Sequence, residues 1–307
     1  MAQEIEPVTR HEVFFFDDGT LNVRLASFIF RIHRTILVRH SPHLASMLKD
    51  HGSSGVVQDL TIPEHLNVTL SDFETLLEYL YHDAPLDSAT PFPRLAALVR
   101  VTSPSQLDIP SIQERARTHI AALFPGGHTP FAHLHPPEHL EPALELAMHY
   151  DLGAETKKAL LYSVSTSTNF DPAGSHDPAG AEPHDTSHPS PHPALTPRTL
   201  RICHRLLASI IEDFTPVLFT VGAAGHMECT DVLADHWMTA VISPALADGG
   251  VGRPLEELAR ISEKNWSQEG VCDACVIAKR KEWDEVAGGV WESVSKWVVE
   301  AEQAEGN

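Results

Sequence analysis

Residues 166–198 are thirty-three consecutive positions with seven Pro and four His, and Phe170 and Leu195 are their only large apolar groups. The near-duplicates Asp171-Pro172-Ala173-Gly174 and His176-Asp177-Pro178-Ala179-Gly180 mark the tract as low in complexity. Such a segment buries too little surface to offset the entropy of ordering it, so it reads as a disordered linker. The chain therefore reads as two parts joined by this hinge. If fully flexible, the linker spaces its ends by about 30 Å, at ~5–6 Å times the square root of its length. The alternative is that the C-terminal helices pack back on the N-terminal part.

Charge restricts the partners. The 307 residues carry 22 Lys and Arg against 42 Asp and Glu, a formal net charge of −20, together with 20 His. Phosphate backbones and anionic lipid surfaces both require basic groups, so direct nucleic-acid or membrane binding is not expected. Protonating every histidine would cancel the formal charge, which predicts falling solubility toward the pI of 5.3. No apolar run approaches the ~18–20 residues of a membrane-spanning helix. The start of the chain has no cleavable apolar segment, and four cysteines make no disulfide scaffold. These features lead us to expect an intracellular, reduced protein, with cytoplasm and nucleus indistinguishable.

Periodicity supplies the elements. Val13-Phe14-Phe15-Phe16 reads as a strand closed by the turn residues Asp17-Asp18-Gly19. Leu21, Val23 and Leu25 alternate with polar positions, as do Phe28, Phe30 and Ile32, so a hairpin linked by Ala26-Ser27 is expected. Ser41-Pro42 has the residues of a helix start, with Leu44 and Leu48 on the inner face. A short strand is expected at 57–62. Phe73, Leu76, Leu77, Leu80 and Tyr81 then follow an amphipathic helical pattern. Further helices are expected at 94–101, 112–123, 141–150 and 154–164, with irregular chain from 125. Beyond the linker, Leu200, Cys203, Leu207, Ile210 and Phe214 restore the helical period. The final helix carries a stripe from Trp283 through Trp291 and Trp297 to Val298, which reads as core.

Chemical motifs are few. Phe16-Asp17-Asp18-Gly19-Thr20-Leu21 resembles the opening strand of haloacid-dehalogenase phosphatases. That chemistry needs a carboxylate two residues before Asp18, where Phe16 stands and can neither attack phosphorus nor bind a metal. We expect no catalytic residues and no enzymatic activity. Cys272-x-x-Cys275 has the spacing of zinc ligands, yet a structural site needs four. Cys203 and Cys229 are isolated in sequence, and His204, His226 or His236 would have to complete the set. Ordinary buried thiols, with no cofactor, are the simpler reading, and zinc held by Cys272 and Cys275 is the alternative. His133-x-His135 and His139 read as solvated loop histidines.

The ordered N-terminal elements resemble a BTB (POZ) domain over residues 11–124. The resemblance is carried by Phe30-Arg31-Ile32-His33-Arg34-Thr35-Ile36-Leu37, then Ser41-Pro42-His43-Leu44 and Met47-Leu48. Leu60-Thr61-Ile62-Pro63 and Phe73 through Tyr81 continue it. His33 and Arg34 are expected to end a strand, with His33 a satisfied structural histidine at the sheet–helix junction. More loosely, Ala147 to Leu152, Lys158 to Tyr162 and the stretch from Cys272 to Trp297 resemble fungal, basidiomycete-like BTB proteins with a helical C-terminal extension. The resemblance implies an α+β BTB fold with a helical extension at 125–165 and a mainly α-helical region at 199–300, between tails at 1–10 and 301–307. It also implies a non-enzymatic adaptor or scaffold that self-associates or recruits a cullin-type ubiquitin ligase or transcriptional regulator. Dimeric relatives pair an acidic strand residue with the basic residue of the His-Arg segment. Here the acidic position falls on Thr20, with Asp18 two residues away, so Arg34, Asp18 and Thr20 are the candidate interaction residues.

Overall fold

The computed structural model describes residues 8–49, 57–128, 139–167 and 195–305, which fall into two compact units, 1–123 and 124–307. The 166–198 linker and the pair His133 and His135 lie mostly or wholly outside the described residues.

In the first unit, β1 (Thr9–Phe15), β2 (Leu21–Leu25), β3 (Phe28–Ile32) and β4 (Gln58–Thr61) form one mixed sheet in the order β1-β3-β2-β4. The hairpin is as read: Leu25 pairs with Phe28, so Ala26-Ser27 is the entire link, and Ala26 adopts φ 52° to close it. β1 and β4 each run parallel to their neighbour. Alternation puts Leu21, Val23, Leu25, Phe30 and Ile32 into the core.

β1 is irregular for a visible reason. Its register shifts between Arg10 and Phe15, and the N–H groups of Val13 and Phe14 both donate to Nδ1 of His11. His11 Nε2 therefore carries the ring proton and donates to Glu74 at 2.8 Å, while the ring stacks on Phe30. The bulge blunts an edge strand that would otherwise present free donors.

The helices α1 (Arg34–His40), α2 (Pro42–Lys49), α3 (Leu70–Leu80), α4 (Phe92–Val101) and α5 (Pro110–Leu123) complete the unit. One expectation is corrected here. The strand ends at Ile32, and Arg34 opens a helix with His33 at its N-cap position, so the His-Arg pair belongs to the turn out of the sheet. Ser41 behaves as its residue type suggests, its hydroxyl accepting from the Leu44 N–H and donating to the Leu107 carbonyl. α3 buries Phe73, Leu76, Leu77 and Leu80 and is capped by Thr69, which accepts from the Asp72 N–H. Phe73 meets Phe30 edge-on at 5.0 Å, joining helix to sheet.

The regular elements described in the second unit are all helical: α6 (Leu140–His149), α7 (Ala154–Ser165), α8 (Pro197–Phe219), α9 (Met227–Trp237), α10 (Ser243–Ala247), α11 (Pro254–Glu263), α12 (Trp266–Glu269) and α13 (Asp273–Ala304). A π-helical turn, Met238–Ile242, joins α9 to α10. The chain before and after 166–198 packs together: α7 lies against α8 and α13, and Lys157 pairs with Glu302. The α13 stripe is core, with Trp283, Ala287, Trp291, Val294, Trp297 and Val298 buried. Trp237, Trp266 and Trp283 form a cluster with ring centres 6.1–6.4 Å apart. No described helix is long and apolar enough to cross a membrane.

Candidate functional site

The residues singled out in the first unit occupy the turn into β2 and the start of α1. Asp18 Oδ2 lies 3.3 Å from His33 Nε2, so its carboxylate goes to the histidine and not to Arg34. The hydrogen bond from His33 holds the Asp18 carboxyl below the usual carboxylate range. On its other side the ring meets Tyr81, whose hydroxyl is 2.9 Å from Nδ1 and accepts from the His33 N–H. His33 is thus a satisfied junction residue. Thr20 Oγ1 accepts from the Arg34 backbone N–H at 3.1 Å, and Arg34 Nε has no hydrogen-bond partner among the described residues. Phe16 packs against His33 and Tyr81.

The second unit assembles a cluster that sequence separation had concealed. His226, Cys229, Cys272 and Cys275 bring one ligand atom each to within 4.8 Å of one another. His226 Nδ1 lies 3.4 Å from Cys272 Sγ, 3.6 Å from Cys275 Sγ and 4.0 Å from Cys229 Sγ. The local cause is the same on both elements. His226 is the N-cap position of α9 and Cys272 that of α13, so Cys229 and Cys275 each occupy the third helical residue. N-cap and third-residue side chains lie on one side of the first turn, the relation a capping box uses. Two such helix starts meet, and each directs the positive end of its dipole toward the sulfurs.

The backbone reinforces the arrangement. The Cys272 N–H points at Cys229 Sγ at 3.5 Å. The Cys275 N–H, with the neighbouring thiols and His226, draws the Cys272 thiol down to about 7. Cys203 contrasts in every respect: it is buried in α8, and burial pushes its thiol up to about 12.

The expectation of free, buried thiols is met at Cys203, Cys229 and Cys275 and departs only at Cys272. Cys272 is exposed, and three of the four cysteines converge on one histidine. Of the histidines weighed for completing the set, His226 joins it, while His204 and His236 lie outside. Cys229, set aside as isolated, is a member. The signal for it was present: His226-x-x-Cys229 repeats the spacing of Cys272-x-x-Cys275. A cluster of one imidazole and three thiols has the composition of a closed structural metal site, without the open position that catalysis requires.

Residues 10–120 match the family model of the BTB/POZ domain. No curated protein matches the chain. The first unit is accordingly a BTB domain, a small mixed sheet with helices, and it is followed by a mostly helical C-terminal region.

Proposed function

We propose that this chain is a non-enzymatic adaptor that works through protein–protein contacts of its BTB domain. The observation that carries the reading is the match of residues 10–120 to a domain family whose general role is protein interaction. The adaptor self-associates or recruits a cullin-type ubiquitin ligase or a transcriptional regulator. The turn and helix start carrying Asp18, Thr20 and Arg34 form the contact surface. The acidic balance supports protein partners over nucleic acid or membrane, and an intracellular site of action follows from the same reading. The looser likeness of the C-terminal region to fungal BTB proteins with a helical extension accords with it.

Light scattering of the full chain over a concentration series, with direct binding to a purified cullin N-terminal domain, tests the proposal. Self-association or cullin binding that weakens in Arg34→Glu is the expected result. A strict monomer that binds no cullin overturns both predicted activities.

A second reading has one observation behind it, the convergence of Cys272 and Cys275 with His226 and Cys229. In it, the chain is a zinc-binding regulatory protein in which Cys272 and Cys275 are half of a structural metal site. The two readings concern different units of the chain. Metal analysis of the purified protein, with and without Cys272→Ser, tests the second, and stoichiometric zinc lost in the variant is the expected result.

A further inference from the structure

We propose that His226 Nδ1 and the thiolates of Cys229, Cys272 and Cys275 bind a single zinc ion that clamps the start of α9 to the start of α13 and thereby fixes the intervening wall of a tryptophan-lined cavity. This rests on the metal-site reading and takes it to a ligand set and a role.

Geometry carries the ligand set. Zinc–sulfur bonds of about 2.3 Å and a zinc–nitrogen bond of about 2.0–2.1 Å, at the tetrahedral angle, separate nitrogen from each sulfur by about 3.6 Å. The three observed separations, 3.4, 3.6 and 4.0 Å, scatter around that value. Hydrogen bonding gives a poorer account. A ring nitrogen carries at most one proton, yet three sulfurs surround Nδ1, and thiols are weak acceptors. A cation at the centre satisfies all four donors together. Three thiolates and one imidazole in a tetrahedral set select zinc over the hard oxygen-seeking cations. The Cys272 and Cys275 N–H groups at the start of α13 supply the outer shell that such thiolates use.

Topology carries the role. Cys229 and Cys272 are 43 positions apart, and all four cysteines are free of disulfides. Across this junction the Cys272 N–H contact to sulfur is a weak tether. The segment leading into His226 is irregular from Thr220 onward, and Gly225 lies so close that a Cβ there would stand 3.6 Å from Cys275 Sγ. The same segment, through Thr220 and Gly222, walls a 350 Å³ cavity whose other side includes Phe214, Trp237, Lys279 and Trp283. Lys279 sits one turn beyond Cys275, its side chain only 4% exposed, and pairs with Glu282 at 2.7 Å. Fixing Cys275 against His226 therefore fixes the cavity wall as well. His226 and Cys272 are exposed, so a chelator reaches the ion without prior unfolding.

The test uses the full chain. Elemental analysis should find about one zinc per chain, and cobalt substitution should give the intense visible bands of a tetrahedral thiolate site. Chelation followed by hydrogen exchange should raise exchange about tenfold or more at residues 220–230 and 271–276, leave β1–β4 unchanged, and be reversed by added zinc chloride. Cys229→Ser should lose the metal and Cys203→Ser should keep it. Protein without metal, or with a disulfide among Cys229, Cys272 and Cys275, overturns the metal site itself. One bound zinc whose removal leaves exchange at 220–230 and 271–276 unchanged overturns the clamp alone. Because the chelation arm uses the native sequence, a Cys229→Ser variant that fails to fold does not affect it.

Discussion

The hydroxyl of Tyr162 donates to Glu256 Oε2 at 2.7 Å and accepts from the Leu255 N–H at 3.2 Å, tying the end of α7 to the start of α11 across the whole 166–198 tract. Tyr162 is fully buried, and burial followed by the facing carboxylate pushes its hydroxyl well above the usual tyrosine range. Replacing it with Phe leaves a buried carboxylate and an N–H without their partner. Tyr162→Phe should destabilise by about 1–3 kcal/mol in chemical denaturation.

Glu256 gives this contact a pH dependence of defined sign. Burial raises its carboxyl above 4.5. Within the window above 4.5 the folded state binds more protons, so the group's contribution to stability grows on acidification and is lost as pH rises through the folded value. Glu256→Gln keeps an acceptor for Tyr162 and removes the charge. The melting temperature of the variant relative to the native chain should be highest at neutral pH and should decline toward pH 4.5. A difference that grows on acidification would contradict the assignment.

Asp72 in α3 receives both arms of Arg100 from α4, at 2.8 and 2.6 Å, with its own side chain 4% exposed. It also stands in the first turn of its helix, where negative charge is favoured. Arg100 is partly solvated, which moderates the loss. Asp72→Asn should cost about 1–3 kcal/mol in urea unfolding of the first unit's transition.

Gly289 lies in the middle of α13 with open space where a Cβ would stand. Glycine inside a helix costs roughly 0.5–1 kcal/mol relative to alanine. Gly289→Ala should raise the melting temperature of the second unit, and a fall would mean that the position is in contact with something other than the described residues.

The cysteines should separate by reactivity. After chelation at pH 7, alkylation followed by peptide mass spectrometry should label exposed Cys272 first and buried Cys203 last. Labelling of Cys203 at a comparable rate would mean that α8 is not packed as described.

Much of the BTB unit was legible because its signals are local. Alternation at Leu21 to Ile32 defined two strands, Ser41-Pro42 marked a helix start, and the 3.6-residue period from Phe73 to Leu80 defined another. α1 was missed: Arg34 to His40 buries only Leu37 and shows no apolar stripe, so tertiary context alone makes it helical. α12 was equally invisible, since four residues around Trp266 are too short for any period.

The sequence by itself determined the spacing of His226 from Cys229 and of Cys272 from Cys275, because i to i+3 geometry at a helix start follows from the chain's own dihedral angles. Only the tertiary structure decided that these two pairs face one another. Their convergence, across a separation of 43 positions, depends on how α8, α9, α11 and α13 pack, and helix packing is set by the summed shape of many buried side chains. The same reason explains Asp18: its residue type made it a candidate for Arg34, but the turn geometry delivered it to His33.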